Sequence, residues 1–298
     1  MPKGEAVFYV GRVVKGGTAI DNFINALLDA KPYQEESEIW SIINTIENEI
    51  ENTRYIYGKL TKAKPDTQYK VLSADLKVVE EKEEKNMITA ESSFVYIPEY
   101  SGIVFQSIVN QIEPKQFTKY FARIIENTLD NVLVLCEINL IDDLEEFYKK
   151  IVDFEFVSIL KTTVRPPNPL FGRFWEPLKK YLLERQVEEY QQKEISKKKG
   201  LKCNIAFLLK LLIEGDEEKI TAYLANHSPS LSDLAVLMSL DGYGDGRIDG
   251  MVRGKHVFVK THEKVRHFTL PSQYSEEMLF NESYEIFKGI SNERYMQH

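Results

Sequence analysis

Three aspartates crowd one glycine-rich stretch near the end of the chain, DGYGDGRIDGMV (241–252). Asp241, Asp245 and Asp249 fall at positions 1, 5 and 9 of an EF-hand-like calcium loop, with Gly246 at position 6 and Ile248 at the apolar position 8. Position 3 is Tyr243 and position 12 is Val252, so the bidentate carboxylate is missing, and a strand-like run follows where a helix should leave. Three carboxylates keep a weak capacity for Mg²⁺ or Ca²⁺, which makes them the metal candidates. The simpler reading is a turn, since Gly242, Gly244 and Gly246 supply backbone conformations that other residues avoid. No cofactor is expected.

A metal-dependent nuclease needs carboxylates for the ion and a lysine near the attacking water. Asp245 and Asp249 with Lys255 or Lys260 have the residue types, and Glu80 with Lys82 has an acid-x-Lys spacing, but in a charge-rich stretch expected to be a loop. FYVGRVVKGG shares something with GIY-YIG nucleases, lacks their paired tyrosines, and reads better as an edge strand. His256, His262 and His267 lie in one β-like region. On an extended strand the first two share a face about 20 Å apart, too far for one metal ion. No Ser-His-Asp, Walker, Rossmann or kinase signature occurs. No catalytic residue is assigned, and the chain reads as a non-enzyme, with a metal-dependent nuclease as the alternative.

The basic residues are left. The net charge of −8 opposes a general nucleic-acid binder, yet residues 161–202 hold eleven Lys and Arg against five Glu. Residues 245–267 hold six against three acids, so a positive face on an acidic protein is expected. Arg165, Arg173, Lys179, Lys180, Arg185, Lys197, Lys198 and Lys199 lie on or beside an amphipathic helix. Arg253, Lys255, Lys260, Lys264 and Arg266 decorate the β region that follows. Such side chains neutralise phosphates without reading sequence. The competing reading is a solvated helix face balanced by Glu176, Glu184, Glu188 and Glu189.

These residues need elements to hold them. At 43% apolar, the chain can build a sizeable core, and no stretch is long and apolar enough for a membrane span. Cys136 and Cys203 are too few for a disulfide framework, and a cytoplasmic protein is expected. EAVFYVGRVV reads as a strand and TAIDNFINALLDA as a helix. SEIWSIINTIENEIE reads as a second helix, striped by Ile39, Ile42, Ile43 and Ile46. TRYIYGKLTKA and TQYKVLSADLKVV read as strands, EEKEEKN (80–86) as a loop tip, and SSFVYIPEYSGIVFQSIV as a hairpin. A helix over EPKQFTKYFARIIENTLD, a strand at VLVLCEINL, a helix at DLEEFYKKIVDF and a strand at FEFVSILKTTV follow. Pro166-Pro167 marks a junction. Beyond it Asn168-Pro169 opens a helix with Phe171, Phe174, Trp175, Leu178 and Leu182 on one side, its polar remainder reaching Gly200. LKCNIAFLLKLLIEGDEEKITAYLANH is ambiguous, and Ser232 would cap SLSDLAVLMSL. The expectation is α+β: a mixed or antiparallel sheet with covering helices in residues 1–165, then a smaller α/β region in 166–298.

The order of FYVGR, NFINALL, RYIYGKLTK, SSFVYIPEYSGIVFQ and LSDLAVLMSLDGYGDGRIDG ahead of GKHVFVKTHEKVRHFTLP resembles the RexA-like phage exclusion and abortive-infection proteins, over most of the chain. The resemblance implies a homodimeric, largely sequence-nonspecific sensor or effector of anti-phage defence that binds double-stranded DNA. It would act with a partner, a membrane or effector protein, without inserting into the membrane itself. It transfers no individual DNA contact. A protein-interaction scaffold in a defence system is the remaining alternative.

Overall fold

The computed structural model describes residues 4–16, 19–72, 79–130, 135–166, 176–196 and 198–293. Strand β1 (Glu5–Gly16) opens the chain and α1 (Ile20–Leu28) covers it. Next come β2 (Tyr33–Glu35), β3 (Glu38–Ile50), β4 (Thr53–Leu72), β5 (Val79–Ile97) and β6 (Gly102–Ser107), with a 3₁₀ turn at Pro98–Tyr100. Helix α2 (Pro114–Leu129), strand β7 (Leu135–Leu140) and helix α3 (Leu144–Ile151) lead to β8 (Phe156–Val164). Helix α4 (Glu176–Glu184), strand β9 (Tyr190–Ile195) and helices α5 (Ile205–Glu214), α6 (Glu217–Asn226) and α7 (Leu231–Leu240) come next. The described chain ends with β10 (Gly244–Val252), β11 (Lys255–Lys260), β12 (His267–Pro271) and α8 (Glu276–Glu293). The fold is α+β, with two antiparallel sheets.

The first sheet has eight strands and curls into a half-barrel, ordered β12-β1-β6-β5-β4-β3-β2. Strand β1 is long enough to carry β12 along Glu5–Tyr9 and β7 along Gly11–Gly16. Alternation of side chains across a strand gives the sheet two apolar faces. One packs Trp40, Phe94, Phe105 and Ile138 against Phe23 of α1 and Phe117 and Phe121 of α2. The other packs Phe8, Val10, Val95 and Val104 against Leu279, Phe280 and Phe287 of α8. The second sheet has four strands, ordered β11-β10-β8-β9. Its inner face lies in a core with Leu160, Val164 and Ile248, against helix α7, buried from Ser232 to Leu240, and parts of α3, α4 and α5.

Several expectations are corrected. SEIWSIINTIENEIE is strand β3, not a helix. Trp40 and Ile42 are buried with period two, and then the register slips between Ile43 and Ile46, where Asn44 adopts φ 53°. That bulge shifts the apolar spacing so that the isoleucines imitate a helical stripe. EEKEEKN is the outer part of β5, paired with β4 at every residue from Glu80 to Lys85, rather than a loop tip. The helix expected to run to Gly200 stops at Glu184, and YQQKEI is strand β9, paired with β8. The start of that helix, and its Phe171, Phe174 and Trp175, lie outside the described residues. The ambiguous stretch after Gly200 is helical, as α5 and α6. The cap of α7 is Ser230, whose side chain accepts from the Asp233 N–H, while Ser232 bonds Glu194 instead. The boundary expected at 165/166 falls between β8 and its sheet partners β9 and β10, and β12 and α8 return to the first sheet. Among the described residues no helix is long and apolar enough to cross a membrane.

Candidate nucleic-acid interface

The three aspartates of the glycine-rich turn go to three different tasks. Asp241 caps the C-terminal end of α7 and is fully buried, its carboxylate 3.3 Å from the Arg12 guanidinium of β1. Arg12 also donates to the Tyr100 carbonyl and lies beside the Tyr243 and Phe287 rings. Gly242, at φ +83°, passes so close that a Cβ there would sit 2.8 Å from the Arg12 Cγ. Asp249 is nearly buried on β10 and accepts two bonds from Arg247, at 2.6 and 2.8 Å. Asp245 is exposed, 3.5 Å from His262 Nε2. Among the described residues no group of three acidic, His or Cys side chains could hold a metal ion.

His262 could have been a general base held by an acid. Its Nδ1 lies 3.4 Å from the buried Asp142 carboxylate, which also accepts the His262 main-chain N–H at 2.8 Å. The outer nitrogen, however, lies 2.9 Å from the Gly244 carbonyl, so the ring ties the turn after β11 to the start of β10. Lys15 is a second buried ionisable group. Its amine donates to Tyr96 Oη at 2.6 Å and Ser101 Oγ at 3.2 Å, and burial lowers its pKa to about 8. Both groups serve packing.

The basic residues singled out in the sequence scatter. Arg165 is bound by Glu137 and Glu189. Lys180 pairs with Glu184, and Arg185 lies over the Tyr181 ring on α4. Lys179 shares that helix, half-buried, and Lys198 and Lys199 are exposed in a turn beyond β9. Arg173 and Lys197 fall outside the described residues. Arg253 and Lys255 sit at the β10–β11 turn. Lys264 and Arg266 line a cleft of about 760 Å³ between β1, β12, α3 and α8, together with Asp143, Glu146, Glu263 and Glu282. Among the described ones, only Lys260 joins an ordered cationic array.

That array is visible only once the strands are paired. Directly opposed residues of an antiparallel sheet point to the same face. Lys193 of β9 opposes Lys161 of β8, Lys161 opposes Arg247 of β10, and Arg247 opposes Lys260 of β11. Four cations therefore cross all four strands in one row about 14 Å long. The inner neighbours Leu160, Thr162 and Ile248 are buried, whereas Lys161, Lys193 and Lys260 are exposed, so the row lies on the outer face. Among the described residues Lys161 and Lys193 have no acidic partner, and Asp249 holds Arg247 in a fixed orientation. A shallow cleft of about 390 Å³ opens there, lined by Lys161, Thr163, Asp245, Arg247, Lys260 and Thr261. The next row is Ile195, Ile159, Asp249 and Phe258, and Ile195 is 50% and Phe258 48% exposed.

Lys161, Lys193 and Arg247 were not singled out in the sequence. Each stands alone in its own strand, and the signal that could have found them is the period-two pattern of β8 and β9. Reading 185–199 as a helix concealed it. No curated protein matches the chain. A family model described as a domain of unknown function (DUF4747) matches residues 22–214, taking in most of the half-barrel with Lys161 and Lys193 of the cationic row, and the chain belongs to the DUF4747 family.

Proposed function

We propose that this protein is a non-catalytic DNA-binding protein that engages the phosphate backbone without reading sequence, through the outer face of the four-stranded sheet. The observation that carries this reading is the row Lys193–Lys161–Arg247–Lys260 on a protein whose net charge is −8. An acidic protein repels a polyanion everywhere except where cations are gathered, so four in line mark one docking site and orient the approach. Asp249 strengthens the case: it fixes Arg247 through Nε and Nη2, and among the described residues Nη1 has no partner. A role in anti-phage defence, as a dimer acting with a membrane or effector protein, belongs to the same proposal and rests on the resemblance to RexA-like proteins.

Fluorescence anisotropy with labelled DNA of unrelated sequences, at two salt concentrations, tests this. The wild type is expected to bind every sequence alike, more weakly at high salt. The double variant Lys161→Glu/Lys193→Glu is expected to lose at least tenfold in affinity and to show a shallower salt dependence, since fewer counterions are released. Equal binding by variant and wild type would remove this face from the proposal.

A further inference from the structure

We infer that the sheet face takes single-stranded DNA in preference to duplex, with phosphates along the cationic row and bases laid on its apolar flank. This rests on the DNA-binding reading above and makes it more specific. The two flanks of the row differ in chemistry. On one side lie Gln191, Thr163 and Asp245, which are polar. On the other lie Ile195, Ile159 and Phe258, two of them about half exposed, with Asp249 of the same row nearly buried beneath Arg247.

A duplex has no use for that apolar flank. Its bases are already stacked on each other, and it offers a protein phosphates and groove edges. A single strand has unstacked bases whose flat faces are apolar, and these gain by lying on aromatic and aliphatic side chains while the backbone follows cations. Phe258 is prepared for this. The Arg247 guanidinium packs 4.4 Å from its ring centroid, and with 48% of the residue still exposed a base can extend that stack. Because Asp249 grips Arg247, the stack is held in place before any ligand arrives. The flank also decides between DNA and RNA. Ile195, Ile159 and Phe258 offer no donor or acceptor to a 2′-hydroxyl, and Asp249 between them is nearly buried with both oxygens taken by Arg247, so a ribose gains no hydrogen bond there that deoxyribose lacks.

The test compares a labelled oligothymidylate, an oligouridylate and a DNA duplex of the same length, using the full chain and anisotropy. Wild type is expected to bind the single DNA strand at least tenfold more tightly than the duplex, and more tightly than the RNA. Phe258→Ala is expected to lose about tenfold on the single strand and little on the duplex, while Phe258→Tyr retains binding. Phe258 is exposed, so both variants should keep the wild-type circular dichroism spectrum. If the duplex binds as well as the single strand, or Phe258→Ala changes nothing while Lys161→Glu/Lys193→Glu still weakens binding, the single-strand inference fails and the DNA-binding reading survives. If the lysine reversals also change nothing, both fail. Tighter binding of the oligouridylate would overturn the choice of DNA.

Discussion

At the scale of single residues, function and stability have been given to different charges. Those on the outer sheet face are solvated, whereas Arg12 and Lys15 of β1 are buried, and each must be paired or made easier to neutralise. Arg12 has Asp241. Among the described residues Lys15 has only neutral hydrogen-bond partners, Tyr96 and Ser101, and burial lowers its pKa from 10.5 to about 8 by disfavouring its charge. Its folded-state pKa is thus depressed below the unfolded value. Between about 8 and 10.5 the unfolded chain binds more protons, so stability rises with pH across that window. It falls back as pH drops to about 8, below which the fold carries a charged buried amine. Urea midpoints for wild type and Lys15→Met across this window are the measurement, and the variant cancels the contribution of other titrating groups. The wild type is expected to gain on the variant as pH rises. Parallel curves would show that Lys15 titrates normally.

At the scale of elements, the turn from α7 into β10 has the tightest backbone requirement. Gly244 lies at φ +152°, and a Cβ there would stand 2.0 Å from the Thr163 carbonyl oxygen of β8. Gly254, between β10 and β11, also has a positive φ, +71°, but a Cβ would meet nothing within 4 Å. Gly244→Ala must therefore push the two strands apart and is expected to prevent stable folding or to cost roughly 3 kcal/mol or more. Gly254→Ala carries only the left-handed backbone penalty, about 1 kcal/mol. Thermal melts of the two variants check this, and equal losses would show that the β8–β10 spacing is not what Gly244 protects. This turn was legible in the sequence, because three glycines within five residues between two apolar runs have few other uses. So were α1, α2, α3 and the hairpin of β5 and β6, whose periods are unbroken. Strand β3 was not, because a bulge at Asn44 resets its parity. Nor was β9, whose polar residues say little until Lys193 is seen opposite Lys161. The cationic row is a property of strand pairing, which no single stretch of sequence displays.

At the scale of the whole molecule, the two sheets are joined by more than chain continuity. Strand β8 enters the second sheet before the chain passes Pro166, its partners β9 and β10 follow that point, and β12 and α8 come back to close the first. Between them, the Asp241 carboxylate from the end of α7 meets Arg12 in the middle of β1, with both side chains essentially inaccessible to solvent. A buried pair of this kind adds little over a well-packed apolar pair, yet removing one partner is expensive, because the other charge stays in a low-dielectric interior. Asp241→Ala is therefore expected to cost about 3–5 kcal/mol. Replacing both partners, as in Arg12→Met/Asp241→Leu, should recover much of the loss. Since the pair links β1 to the α7–β10 turn, the loss should be felt by both sheets at once. Urea unfolding would be followed by Trp40 fluorescence in a Trp175→Phe background, which reports on the half-barrel, and by far-ultraviolet circular dichroism, which reports on the whole chain. Both midpoints are expected to move down together. A variant in which the Trp40 transition stays put while the ellipticity splits into two steps would mean that the sheets fold independently and that Arg12–Asp241 stabilises only the turn that carries it.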